Sequence, residues 1–313
     1  MPGTYLEPGG EGGKTMSTAQ KKPDRRITEE LQALAIGEGG DLFGVAPVER
    51  FVDVEPGCAP LEYMPKAKSV LSIAVHIPNG VCDIWNRTPG PYLLYGYGIT
   101  CWEVSRISLL LARHLELCGY RSICFPPAWS SSFYRNYHRK SDGVLIQDFP
   151  HQTAAVAAGL GELGLAGLCL TREFGARQRF GSIVTDAPLA VDAEYSGPRL
   201  CNPDECGRQC VQVCPTGALD PSKPVPVRVG KREYPTAKLD GIRCQYGLEG
   251  LVAGSGGHTA ETIPPGKGCW DDLTAAKAKR HPVDELLLSQ SAGALVGNFC
   301  ERCLHQCPAA GVY

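Results

Sequence analysis

Fifteen cysteines in 313 residues are too many for an ordinary enzyme chain, and eight of them fall in motif-like groups after residue 200. CNPDECGRQCVQVCPTGAL (201–219) holds Cys201, Cys206, Cys210 and Cys214, with Pro215 directly after the last. CERCLHQCP (300–308) holds Cys300, Cys303 and Cys307, followed by Pro308. Thiolates are soft ligands, and such runs favour iron–sulfur clusters or zinc. Zinc prefers C-x2-C knuckles separated by a long spacer. Two dense runs that each end in Cys-Pro match the bacterial two-cluster arrangement, where the last cysteine of each run ligates the other cluster. On that rule Cys201, Cys206, Cys210 and Cys307 hold one [4Fe-4S] cluster. Cys214, Cys300 and Cys303 hold the second and need one more thiolate. Cys244 in LDGIRCQYGLEG and Cys269 in PGKGCWDD both qualify, and spacing alone favours Cys269. The first run reads C-x4-C-x3-C-x3-C-P where the usual form is C-x2-C-x2-C-x3-C-P, so its first ligand is the least constrained. Disulfides would suit a secreted chain, but no signal peptide is visible and a chain of this size needs no staples. Cys58, Cys82, Cys101, Cys118, Cys124 and Cys169 are scattered and read as small core hydrophobes.

The elements that must position these groups are legible upstream. Thr28 caps a helix whose Leu31, Leu34 and Ala35 share one face, and Gly37, Gly39 and Gly40 stop it. DLFGVAPV (41–48), SVLSIAVHIP (69–78) and YRSICFPP (120–127) read as buried strands. Val104, Ile107, Leu111 and Leu115 recur at helical spacing in residues 101–120, with Gly119 as the stop. The stretch from His151 begins as a small-residue helix and passes through Gly159, Gly161, Gly164 and Gly167. Four sites without a Cβ let the backbone approach a flat cofactor, or another segment, closely. This is not a dinucleotide fingerprint, because it closes a helix instead of opening one. Alternating strands and helices up to residue 195 argue for a layered α/β or α+β domain. From residue 196 Cys, Pro and Gly dominate, and periodicity survives only in PVDELLLSQSAGAL, so metal clusters must hold that segment together.

The expected organisation is a solvated leader at 1–26, an α/β domain at 27–195 and a cluster module at 196–313. In the leader, GGEGGKT fails as a phosphate-binding loop because Pro8 stands where glycine is required. Arg25-Arg26 is followed by no apolar export segment, so the expected compartment is the cytoplasm. No apolar run approaches the ~18 residues of a membrane span. A net charge of −2 gives no electrostatic reason to expect a nucleic acid.

AAVAAGLGELGLAGLCLTREFGARQRFGSIVTDAPL, followed by CVQVCPTGAL, Cys244 and CERCLHQCP in that order, resembles the cobalamin-dependent reductive dehalogenases and epoxyqueuosine reductases. The likeness runs from about residue 40 to the end. It implies an α+β architecture: a nitroreductase-like corrinoid-binding domain followed by a ferredoxin-like module with two [4Fe-4S] clusters. It also implies that the second cluster takes its first ligand well upstream, which selects Cys244 over Cys269. A base-off cobalamin would lie against Gly159, Gly161, Gly164, Gly167, Ser182, Thr185 and Asp186. In the implied activity, electrons pass through both clusters to cobalt, and Co(I) reductively cleaves a carbon–heteroatom bond in a small molecule. The proton would come from Tyr134 or Tyr137, paired with Arg135, Arg139 or Lys140 as in dehalogenases, or from Asp148 as in the epoxyqueuosine type.

The departures bear on the substrate. GLGELGLAG replaces the G-L-G-W-I-G-K-N of the epoxyqueuosine enzymes, which continue past the clusters into a helical tRNA-binding extension, and a tRNA substrate is not expected here. Leu165 stands where dehalogenases commonly carry a basic residue. The expected partners are a small-molecule substrate and a low-potential donor such as ferredoxin or flavodoxin, with a homodimer compatible and no nucleic acid or membrane. The rival expectation is an electron-transfer or corrinoid-binding protein with no substrate chemistry of its own.

Overall fold

The protein was analysed as a computed structural model, which describes residues 23–125, 127, 149–248, 252, 254, 255 and 300–309. The first helix, α1 (Arg25–Gly37), buries Ile27, Leu31 and Ala35. Its cap is Asp24, whose carboxylate accepts the Ile27 amide, and not Thr28. The Thr28 hydroxyl lies one turn inside, donating to the Asp24 carbonyl at 2.8 Å and accepting from the Ala190 amide at 2.9 Å. Thr28 therefore ties the helix to the segment after the last sheet strand. At the other end Gly39 takes φ +97°, and a Cβ on Gly40 would meet the Ala35 carbonyl oxygen at 2.8 Å.

The three strands expected from apolar runs all form: β1 (Leu42–Pro47), β2 (Ser69–His76) and β3 (Ser122–Phe125). Short helices α2 (Pro60–Tyr63) and α3 (Asn79–Asp83) flank β2. A π-helical stretch, Tyr92–Ile99, then runs directly into α4 (Thr100–Leu117). Val104, Ile107, Leu111 and Leu115 are buried on α4 as the spacing requires, and Gly119 at φ +85° ends it. The small-residue helix α5 (His151–Ala157) leads into a hairpin of β4 (Gly161–Leu163) and β5 (Cys169–Thr171), then β6 (Gln178–Thr185).

The main sheet has the order β1-β2-β6-β3 and is antiparallel throughout. Alternation sorts its side chains onto two faces. Val45, Leu71, Ile73 and Ile183 meet α1 and α4 through Leu31, Ile107, Leu111 and Leu115. Ala46, Val70, Ala74, Phe180 and Val184 meet α5 and the aromatic residues Phe125 and Phe149. Close approach demands glycine twice. A Cβ on Gly181 would meet Val104 Cγ1 at 2.5 Å, and one on Gly44 would meet the Ala158 carbonyl oxygen at 2.7 Å.

After residue 196 the sequence shows little periodicity, yet a long hairpin forms there. It comprises β7 (Leu219–Val229) and β8 (Arg232–Leu239), turning at Gly230 (φ +58°) and Lys231. Val229 and Tyr234 from this hairpin enter the α5-side core. The Gly230 amide bonds the Arg50 carbonyl, and the Ala237 amide bonds the Leu165 carbonyl. The segments on either side of residue 196 are thus directly packed together. Three further short helices are α6 (Gln209–Gln212), α7 (Gly241–Leu248) and α8 (Arg302–His305). Among the described residues no helix is long and apolar enough to cross a membrane.

Candidate metal centre and its clasp

Cys201 is placed by a carboxylate from the Gly-rich stretch. Glu162, on β4 and only 4% exposed, accepts the amides of Leu200 and Cys201 at 2.7 and 2.9 Å. Cys206 lies in the turn that follows, and Cys210 opens onto α6. Cys307 arrives from the far end of the sequence and joins these three. Burial, and then the neighbouring thiols Cys307, Cys201 and Cys206, push the Cys210 thiol up to about 11. Cys307 is likewise raised by burial, with Cys201 and Cys206 among the contributing charges. The four line one cavity together with Cys303, Gly164 and Leu165.

The second four is assembled the same way. The thiol of Cys244, on α7, is raised by burial and then by Cys300 and Cys214. Cys303 is raised by burial and then by Cys244 and Cys300, with Cys214 also contributing. Burial pushes Cys300 up to about 12, with Cys214 adding to it. The last cysteine of each run therefore sits with the other run, and Cys244 stands in the second group. Cys269, the alternative to Cys244, lies outside the described residues.

Several of these sulfurs also accept backbone amides. Leu165 N and Ala218 N lie 3.3 Å from Cys201 Sγ and Cys214 Sγ, and the amides of Val211, Arg302 and Ala309 bond the sulfurs of Cys210, Cys300 and Cys307. Amide donors stabilise thiolate over thiol, whereas burial and mutual repulsion oppose it. Bound cations reverse that balance, and a coordinating thiol is deprotonated outright.

Side chains from the sheet domain clasp the C-terminal cysteine run. Glu301, between Cys300 and Cys303, is chelated by Arg179 of β6, with Nη1 to Oε1 at 2.6 Å and Nη2 to Oε2. The Tyr92 hydroxyl donates to the same carboxylate at 2.6 Å. Burial disfavours the Arg179 charge, but Glu301 together with Tyr92 and Cys101 outweighs it and holds the pKa well above the ordinary value. The Arg179 guanidinium also lies 4.8 Å over the Tyr97 ring. Arg177 bonds the His305 carbonyl at 2.9 Å and Asp83 at 2.9 Å, and Arg302 stacks 4.9 Å over Trp85. Residue patterns gave no sign of Tyr92, Arg177 or Arg179. The available signal was Glu301 itself, an acid between two ligands that needs a buried counter-charge.

The residues assigned to a corrinoid fall into two sets. A Cβ on Gly159 would meet the Ala193 carbonyl oxygen at 2.0 Å, and one on Gly161 the Leu170 carbonyl oxygen at 1.9 Å, so the protein's own backbone fills both places. Ser182 and Thr185 are fully buried and committed internally, to His151 Nδ1 at 2.8 Å and the Arg121 carbonyl at 2.8 Å. Gly164 is also buried, beneath Leu170 and Cys201 Sγ. Gly167, at φ +74° with open space where a Cβ would stand, and the half-buried Asp186 keep access to the outside. Tyr134, Tyr137 and Asp148, the expected proton donors, lie outside the described residues, as do Arg135, Arg139 and Lys140.

No family model matches the chain. Over 105 residues, 29% of the chain, it is 38% identical to a tetrachloroethene reductive dehalogenase of Dehalobacter restrictus, of which the match covers 17%. An epoxyqueuosine reductase solved with an epoxyqueuosine-modified tRNA-Tyr stem loop superposes with a TM-score of 0.50 at 18% identity, over 91% of this chain and 65% of that one. A reductive dehalogenase whose structure suggests a mechanism for B12-dependent dehalogenation gives 0.51 at 17% identity, over 93% of this chain and 39% of that one. The chain shares its fold with these epoxyqueuosine reductase and reductive dehalogenase structures. The chain spans 65% of that reductase and well under half of either dehalogenase.

Proposed function

We propose that the chain is a corrinoid- and iron–sulfur-dependent reductase acting on a small molecule. The observation that carries this reading is the crossed grouping of eight thiols beside the Gly164–Gly167 turn. Cys201, Cys206, Cys210 and Cys307 would hold one [4Fe-4S] cluster, and Cys214, Cys244, Cys300 and Cys303 the other. Glu162 fixes the first ligand, and the Arg179–Glu301 pair fixes the loop that carries Cys300 and Cys303. A corrinoid would lie against the open face at Gly167, with Asp186 also accessible, while Gly159, Gly161, Ser182 and Thr185 are engaged within the protein. When bound, these groups supply low-potential electrons at cobalt for reductive cleavage of a carbon–heteroatom bond, of dehalogenation or deoxygenation type. The phenol O–H of Tyr134 or Tyr137, or the carboxyl of Asp148, would deliver the proton, and a ferredoxin or flavodoxin the electrons.

A second reading rests on Leu165. An apolar side chain lining the cluster cavity, in place of a cation, suits a protein that passes electrons or carries a corrinoid and leaves substrate chemistry to a partner. The test is anaerobic purification, incubation with hydroxocobalamin, removal of the excess and metal analysis. The reductase reading expects about eight irons and one cobalt per chain, with charge-transfer bands of both groups in the visible spectrum. Eight irons with no retained cobalt would transfer the assignment to the electron carrier. Once a substrate is in hand, Tyr134→Phe and Tyr137→Phe are expected to lower kcat by about 100-fold or more at whichever position donates the proton. Full activity in both would remove the tyrosines from the reaction.

A further inference from the structure

Four buried nitrogen donors in one patch have no hydrogen-bond partner among the described residues: Trp85 Nε1, Arg177 Nε, Arg302 Nε and His305 Nε2. They are mutual neighbours. The His305 ring lies 4.9 Å from that of Trp85, Arg302 stacks on Trp85 at 4.9 Å, and Arg177 bonds the His305 carbonyl. The indole and guanidinium N–H groups can only donate. Gln306 Nε2 lies 3.4 Å from His305 Nδ1, and an imidazole Nε2 can also carry a proton. Three of the four atoms can only donate, and the fourth, His305 Nε2, donates in one of its tautomers. Buried donors are rarely left unpaired, and an ion or group held at the site is one explanation of an unpaired one.

The acceptor is identified by what surrounds the patch. His305 lies between Cys303 and Cys307, one from each group of four thiols. Trp85, His305's neighbour, packs in the same cluster as Cys201 and Cys307. Arg177 is among the charges acting on Cys307, and Arg302 among those acting on Cys300. Sulfide and thiolate sulfur accept N–H bonds, and such bonds stabilise the more negative, reduced cluster. We propose that Trp85 and His305, with the Nε–H groups of Arg177 and Arg302, form an N–H···S cradle for the iron–sulfur clusters and set their reduction potentials upward. The inference rests on the iron–sulfur reading above. In it these are positioning residues, holding and tuning the clusters without touching substrate.

Trp85→Phe and His305→Phe keep an aromatic ring in place and delete the N–H. In the anaerobic holoprotein, EPR-monitored redox titration is expected to show at least one cluster shifted to more negative potential in each variant, with the iron content unchanged. The unsubstituted protein gives a second readout that needs no variant to load. With 15N-tryptophan or 15N-histidine incorporated, pulsed EPR of the reduced clusters is expected to show coupling to the labelled side-chain nitrogen. Wild-type potentials in both variants, or no such coupling in the labelled protein, overturns the cradle while leaving a protein with about eight irons intact as a cluster protein. A wild-type preparation without iron overturns the parent reading instead.

Discussion

Single residues carry the most exposed parts of the account. Cys244 and Cys269 were equally open on residue type, and the structure places Cys244 among Cys214, Cys300 and Cys303. Cys244→Ala is expected to remove one four-iron EPR signal, and Cys269→Ala to retain both. The Arg179–Glu301 pair is the other sharp point, since both side chains are nearly nine-tenths buried. Removing one partner of a buried pair strands the other charge, so Arg179→Met is expected to destabilise the folded protein by roughly 3–5 kcal/mol in denaturant unfolding. At this scale the two cysteine runs were readable because their residue type and local spacing mark them in the sequence itself. Arg179 and Tyr92 were not, because their partner lies more than a hundred positions away and nothing local marks the pairing. The glycines were half-readable. Their number signalled close approach, but only the fold shows that at Gly159 and Gly161 the approaching group is the protein's own backbone.

Among the elements, periodicity served where one face is buried. β1, β2, β3 and α4 follow apolar patterns that burial enforces, and all four stand where those patterns place them. The β7–β8 hairpin escaped notice because Pro221, Pro224, Pro226 and Pro235 argue against a strand in a sheet interior. A two-stranded ribbon has only edges, so prolines without an N–H fit, and a register shift between Asp220 and Pro224 absorbs the crowding. The π-helical turn before α4 leaves no sequence mark that a period of 3.6 can detect. The β4–β5 hairpin makes the clearest element-scale prediction. Gly161→Ala puts a methyl group 1.9 Å from the Leu170 carbonyl oxygen, whereas the site of Gly37 is open. Gly161→Ala is expected to cost at least about 1–3 kcal/mol and to lower iron occupancy through the displaced Glu162. Gly37→Ala is expected to leave stability unchanged or to raise it by up to about 1 kcal/mol. Thermal unfolding of the two variants side by side checks the pair.

For the whole molecule, the C-terminal cysteine run acts as a fastener. Residues 300–309 meet the sheet domain through Arg177, Arg179, Tyr92 and Trp85, and they meet the 201–214 loop through the crossed thiols. Deleting residues 306–313 removes Cys307 and is expected to cost one cluster and lower the unfolding midpoint. The central claim is that the two runs interleave, and counting clusters in paired variants tests it most directly. Cys201→Ala and Cys307→Ala, made singly and together in anaerobically purified protein, are compared by Mössbauer and EPR for intact [4Fe-4S] clusters. The account predicts one intact cluster in each single variant and the same one in the double variant, because both residues serve the same cluster. A double variant with no intact cluster, alongside singles that each keep a different one, would contradict it.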